Sequence, residues 1–307
     1  MKKIAFTLGE PAGIGIDIAI LNAKQKQKHH LVHITDELVL LERAKKLGVD
    51  IKIVDENTVP NKNEISVLSV KVREKVIAGK LNVKNVPFVL KTLDIAIKGC
   101  LDGKYDAMLT APIHKGIINQ AGFFFTGHTE YLAQKTKTEK TVMLLVCDTL
   151  KVALVTTHLP ISKVAKNITK INLVNTIRIL DKALKKPKIM ALGLNPHAGE
   201  DGSLGLEEID IINPTLELMR FEGTDITNAT PADTAFSEIN RNKYDVFLAM
   251  YHDQGLAVLK TLCFEKAINI TLGLPFVRVS VDHGTALDLA GTGKISLGSF
   301  QTAIDYL

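Results

Sequence analysis

The order of apolar runs and amphipathic stretches predicts an α/β protein whose sheets are mostly parallel and covered by helices on both faces. Three observations carry this. Short runs rich in Val, Ile and Leu alternate with helix-periodic segments along the whole chain. Polar and ionisable residues follow directly after those runs, at the carboxyl ends of strands, where ligands of open parallel sheets bind. The length of 307 residues fits two domains at about 150 residues each, or one large α/β domain.

Lys3 to Leu8 reads as the first strand, ending in the glycine-rich turn Gly9-Glu10-Pro11-Ala12-Gly13-Ile14-Gly15. Ile14, Ile18 and Leu21 then share one face of a helix. The turn fits neither G-x-G-x-x-G nor the P-loop pattern, so no ready-made dinucleotide or triphosphate cradle opens the chain. Gly293-Lys294 looks P-loop-like, but Ile295 stands where Ser or Thr must ligate magnesium. Further strands are expected at Leu31 to Ile34, Ile51 to Val54, Ile65 to Val70 and Ala107 to Thr110, with helices from Asp36 to Lys46 and Val86 to Cys100. Gly127-His128-Thr129-Glu130 opens another helix. Beyond it, Val142 to Val146, Val152 to Val155, Ile189 to Leu192 and Asp245 to Met250 read as strands, and Ile171 to Leu184 and Glu207 to Met219 as helices, the latter despite Pro214.

Hydrophobic residues make up 46% of the chain and tryptophan is absent, so the core is aliphatic. Cys100, Cys147 and Cys263 form no C-x-x-C pair, and an odd number makes a poor disulfide framework, so a reducing, cytoplasmic setting is expected. Met1-Lys2-Lys3 has the charge of a signal peptide, but Gly9-Glu10-Pro11 ends its apolar run too soon. No stretch approaches the ~18 apolar residues of a membrane span. The formal charge of +5 is modest. The lysine clusters 24–28 and 182–188 lack interleaved aromatics and read as solvated faces, not nucleic-acid sites. A mildly cationic surface would still draw an anionic substrate inward.

His158, His197 and His252 each follow a strand-like run by one to five residues, which in a parallel sheet brings them to one edge. Three imidazoles without a thiolate suit a divalent ion with an open coordination position. Strand capping or a hydrogen-bonded core place is the competing reading of each one alone. Lys260, Asn269 and Arg278 supply two cations and an amide, which point to an anionic ligand. His29, His30 and His33 lie in a charged segment and are read as structural.

Seven segments then resemble, in order, the signatures of the 4-hydroxythreonine-4-phosphate dehydrogenase family: Gly9 to Gly15, Thr110-Ala111-Pro112-Ile113-His114-Lys115, Gly127 to Glu130, Thr156-Thr157-His158-Leu159-Pro160, Leu194-Asn195-Pro196-His197-Ala198-Gly199-Glu200, Tyr251-His252-Asp253-Gln254-Gly255, and Val281 to Ala286. The last, extended to Gly291, is also similar to the adenine-binding loop of isocitrate and isopropylmalate dehydrogenases. The resemblance implies two α/β/α domains with an active-site cleft between them, of approximately 1–125 plus 265–307 and 126–264. It also implies a homodimer with metal ligands from both subunits.

The implied activity is NAD- or NADP-dependent oxidation and decarboxylation of 4-phosphooxy-L-threonine to 3-amino-2-oxopropyl phosphate, for pyridoxal phosphate synthesis. By the same resemblance His158, His197 and His252 hold the metal, zinc first with magnesium or cobalt as alternatives. His128, Thr129, Lys260, Asn269 and Arg278 contact substrate. Lys260 and Asp253 are the side-chain candidates for proton acceptor, with metal-bound water a third, and Asp282, Gly284, Asp288 and Gly291 the cofactor loop. Two departures from the family pattern stand out: Ile16-Asp17 replaces Pro-Glu after Gly-Ile-Gly, and Ala257 replaces a proline. A sister dehydrogenase of phosphorylated four-carbon sugar acids is the nearest rival. A zinc-dependent hydrolase is the rival from another class.

Overall fold

A computed structural model describes all 307 residues, which form two compact units, Met1–Thr138 with Leu274–Leu307 and Glu139–Gly273. These boundaries lie later in the chain than the sequence reading drew them. His128 and Thr129 therefore belong to the first unit and Asn269 to the second.

The first unit begins with β1 (Lys3–Thr7), α1 (Gly15–Asn22), β2 (His30–Thr35), α2 (Glu37–Leu47), β3 (Lys52–Asp55), β4 (Glu64–Ser69), α3 (Val86–Leu101), β5 (Ala107–Thr110), α4 (Lys115–Gln120) and α5 (His128–Thr136). The second unit follows with β6 (Val142–Cys147), β7 (Leu150–Leu154), α6 (Ile161–Asn167), α7 (Lys170–Leu184), β8 (Ile189–Ala191), α8 (Asn213–Phe221), α9 (Ala232–Ala235), α10 (Glu238–Lys243), β9 (Val246–Ala249), α11 (His252–Cys263) and β10 (Ile268–Leu272). The chain returns to the first unit for β11 (Val277–Val281) and α12 (Gly298–Tyr306).

In the first unit the strand order is β3-β4-β2-β1-β5-β11, every pairing parallel. Central β1 is buried on both faces along Ile4, Ala5, Phe6 and Thr7, which is why it reads as a continuous apolar run. Helix α2 starts where Asp36 accepts a hydrogen bond from Leu38 N–H and stops at Gly48, whose left-handed φ of 65° suits glycine. On one face of the sheet, Phe88, Leu93 and Ile97 of α3 pack with Ala5, Val32 and Met108.

In the second unit the order is β10-β6-β7-β9-β8. Here β7, β9 and β8 run parallel, whereas β6 pairs antiparallel with both β10 and β7, the latter through a tight hairpin. Leu256 and Leu259 of α11 pack on Val152, Leu154, Phe247 and Ala249. Gly255 allows that approach, since a Cβ built there would sit 2.4 Å from Val152 Cγ1.

One expectation is overturned. Cys147, at the end of β6, and Cys263, at the end of α11, form a disulfide with Cα atoms 6.2 Å apart, and buried Cys100 is left as the thiol. The sequence spacing of 116 residues hid the pair, because the packing of α11 on β6 and β7 brings the two ends together.

His29, His30 and His33, read from sequence as part of a charged segment, are all buried. His33 is 4% exposed, stacks edge-on against Phe6 and donates from Nδ1 to Ser66 O at 3.1 Å. Burial pulls its pKa down to about 4. The unfolded chain takes up this proton near pH 6.5 and the native state does not. Native stability is therefore intact above 6.5 and falls as pH drops toward 4, by about 3 kcal/mol in all. Urea unfolding at pH 7 and pH 5 should show a loss that is smaller in His33→Gln by roughly 2 kcal/mol.

Candidate active site

Because β7, β9 and β8 are parallel neighbours, their carboxyl ends lie at one edge of the second unit. After β7 the chain runs through Thr156 and Thr157 to His158, and after β9 through Met250 and Tyr251 to His252, the first residue of α11. After β8 it runs through Gly193 and Asn195 to His197. The rings of His158 and His252 have centroids 5.5 Å apart, tilted by 45°. Both line a cavity of about 190 Å³ with Thr157, Leu159, Tyr251 and Asp253. Asp253 Oδ1 lies 2.7 Å from His252 Nδ1, so the carboxylate faces the histidine and leaves Nε2 as the nitrogen available to an ion.

Two imidazoles on one tetrahedral ion at ~2.1 Å would hold their ring centres about 5 Å apart. The His158–His252 pair fits such an ion. No group of three or more His, Cys, Asp or Glu side chains is gathered for a metal within the single chain. The chain by itself therefore brings together two of the three expected ligands. Lys260 lies two turns beyond His252 on α11, half-buried, with Nζ 5.4 Å from the Phe264 ring centre. Asn269 is half-buried on β10, opposite Leu145 of β6.

In the first unit, Arg278 on β11 is 3% exposed and donates from Nη2 to Thr110 Oγ1 on neighbouring β5 at 2.8 Å. Burial brings its pKa down to about 10, with the Glu130 carboxylate opposing, so the guanidinium remains charged at neutral pH. His128 begins α5. Its Nε2 is buried with no hydrogen-bond partner. Burial, and then the charges of Arg278 and Lys115, hold its pKa well below the usual imidazole range. The ring is neutral and carries a buried polar atom that a ligand can satisfy. Thr129 follows on the same first turn, half-buried. His114 caps α4 by accepting from Ile117 N–H at 3.2 Å.

Three residues of this cluster had no assigned role in the sequence reading. Thr110 orients Arg278, Lys115 acts on His128, and Glu130 counters Arg278. Each stands in or beside a quoted motif. The signal for Thr110 and Lys115 was the placement of Thr110-Ala111-Pro112-Ile113-His114-Lys115 at the end of a strand, and for Glu130 the polar helix start Gly127-His128-Thr129-Glu130.

The loop 282–291 is held by the first βα turn of the same unit. Thr285 O accepts from Ile14 N–H at 3.1 Å, and Asp282 N–H donates to Ser299 Oγ at 3.2 Å. Gly291 N–H donates to Asp17 Oδ1 at 2.6 Å. Asp17 is 0% exposed and ion-paired with Arg43, which also donates to Gly13 O and Pro11 O. The departure at Ile16-Asp17 thus has a structural role: a buried carboxylate ties α1, α2 and this loop together. Gly284 and Asp288 lie on the exposed side of the loop. Lys46 packs against Gly291 and, with Val39, Arg43, Lys75 and Ile77, lines a cavity of about 350 Å³. Ala257 lies exposed within α11, where alanine favours the helix.

Comparison with known proteins identifies the family. The family described as pyridoxal phosphate biosynthetic protein PdxA matches residues 26–307. The 4-hydroxythreonine-4-phosphate dehydrogenase of Vibrio cholerae serotype O1 is 48% identical, over 99% of this chain and 96% of that one. The enzyme of the same name from Pseudomonas syringae pv. tomato is 50% identical, again over 99% and 96%. The crystal structure of 4-hydroxythreonine-4-phosphate dehydrogenase from Klebsiella pneumoniae superposes with a TM-score of 0.90 at 34% identity, covering 99% of this chain and 98% of that one.

Asp17→Ala should leave the Arg43 guanidinium buried without its counter-charge. Urea unfolding should register a loss of about 3–5 kcal/mol, with most of it recovered when Arg43→Met removes the stranded charge.

Proposed function

Since this chain belongs to the pyridoxal phosphate biosynthetic PdxA family, an oxidoreductase family of 4-hydroxythreonine-4-phosphate dehydrogenases, we infer that it oxidises 4-phosphooxy-L-threonine with a nicotinamide acceptor and releases carbon dioxide. The structural observation that carries this reading is the His158–His252 pair with Asp253 on the far nitrogen of His252. A divalent ion held there, zinc by preference, supplies Lewis acidity at the substrate hydroxyl and at the ketone formed from it. A homodimer gathers His197 with the other two ligands, in keeping with the pair, and not a trio, found in one chain.

The remaining residues bind and orient. Arg278 and Lys260 fix the phosphate and carboxylate ends of the substrate. The guanidinium is already desolvated and aimed by Thr110, so little reorganisation is needed when the anion arrives. His128 contacts substrate as a neutral ring through Nε2 and adds no second positive charge beside Arg278. Thr129 and Asn269 complete the polar contacts. Asp253 orients His252, as carboxylates behind metal-binding histidines do. That leaves Lys260 as the side-chain candidate for taking the hydroxyl proton. The loop 282–291 receives the adenosine end of NAD or NADP, beside the cavity that Lys46 and Lys75 line.

The test is NADH formation from 4-phosphooxy-L-threonine and NAD by the purified dimer, with a chelator and then with zinc, cobalt or magnesium restored. Turnover abolished by the chelator and recovered with metal is the expected result. Turnover of 4-phosphothreonate or 4-phosphoerythronate alone would move the substrate to the sugar acids, and phosphoester hydrolysis without nicotinamide would overturn the dehydrogenase reading.

Asp253→Asn should lower metal affinity by roughly 10–100-fold, and excess metal should restore much of the rate. A rate that no metal concentration restores would return Asp253 to proton transfer. Asp288→Ala should raise the Kd for NAD and leave substrate and metal binding near wild type in calorimetric titrations.

A further inference from the structure

His197 sits in a stretch of backbone that L-residues avoid. His197, Ala198, Gly199, Glu200 and Asp201 have φ values of 51°, 53°, 84°, 41° and 53°, a left-handed run in which four of the five carry a Cβ. Such a run persists only where its surroundings hold it. Glu208 does so from beneath. It is 1% exposed, its Oε1 accepts from the N–H groups of Leu194 and Asn195 at 2.7 and 2.8 Å, and its Oε2 accepts from Asn195 Nδ2 at 2.9 Å. A Cβ at Gly199 would lie 2.8 Å from Oε2, so the carboxylate touches the loop at both ends. Glu208 also opens a single π-helical turn, Glu208–Ile212, a device common near functional sites.

Gln254 joins this loop to the turn that presents His252. Its Oε1 accepts from Met250 N–H at 2.7 Å, and its Nε2 donates to Gly193 O at 2.6 Å. Thr156 Oγ1 donates to Met250 O at 2.7 Å and brings in the end of β7, just before His158. The three histidine-bearing strand ends are thus cross-tied by side chains one step removed from the imidazoles.

We propose that Gln254 and Glu208 are positioning residues that set the posture of the His197 imidazole, which the dimer brings to a His158–His252 pair. The proposal rests on reading the three histidines as metal ligands. Gln254 fixes where the His197 loop begins, and Glu208 fixes how it curls. Neither touches the ion.

Cobalt(II) alone, added to the purified metal-free dimer, tests this through affinity and the visible spectrum of the bound ion. Gln254→Leu should weaken cobalt binding by about 10–100-fold and alter the spectrum, with folding intact by circular dichroism. In a His197→Ala background the same substitution should lose most of its effect, because that effect passes chiefly through His197. Should Gln254→Leu fail to fold, Gln254→Glu serves instead: it keeps the acceptor for Met250 N–H and replaces the donor to Gly193 O with an oxygen that repels it. Glu208→Gln, of the same size, should weaken binding in the same direction. Folded variants that bind cobalt as wild type does, with the same spectrum, overturn the positioning role. So does an undiminished Gln254 effect in the His197→Ala background. Wild-type protein that binds no cobalt, or binding that survives His252→Ala, overturns the metal reading instead.

Discussion

Parallel pairing of β7, β9 and β8 is the constraint on which the gathering of the histidine-bearing strand ends depends. Strands that run the same way end at the same edge, so loops widely separated in the chain meet there. The antiparallel hairpin of β6 and β7 turns the chain so that β7 runs alongside β9. With direction established, His158 and His252 come within ring contact. His197 needs more, because its loop curls against backbone preference and is held by the buried carboxylate of Glu208.

Desolvation governs the other cluster. A buried guanidinium and a buried imidazole a short charge-interaction distance apart cannot both be protonated cheaply. Arg278 keeps its charge, with Thr110 as hydrogen-bond partner and Glu130 as counter-charge, and His128 stays neutral. The result is one cation beside one neutral ring that carries a buried, unpartnered Nε2. The same logic explains Asp17 and Arg43, whose pairing keeps two buried charges compensated and anchors Gly291.

Much of the fold was legible because strands and helices announce themselves over short windows. The run Ala107 to Thr110 matches β5 residue for residue, and β2, β4, α3 and α7 fall within a residue or so of where periodicity put them. The helix read at Glu207 to Met219 is a π turn followed by α8, since Pro214 occupies a first-turn position that tolerates it. The three histidines were visible as polar residues after apolar runs. Thr110, Lys115 and Glu130 stood in quoted motifs, but their roles depend on burial, which no local pattern reports.

By itself, then, the amino-acid order determined which segments are strands, that several carry polar residues just past their ends, and which family signatures they match. Tertiary structure alone decided that Cys147 meets Cys263, that His128 is neutral beside Arg278, that Asp17 holds Gly291, and that Gln254 ties the His197 loop to the His252 turn. The physical reason is separation along the chain. Periodicity records neighbours a few residues apart, whereas these contacts join residues dozens to hundreds apart, and only the packing of helices on sheets brings them within reach.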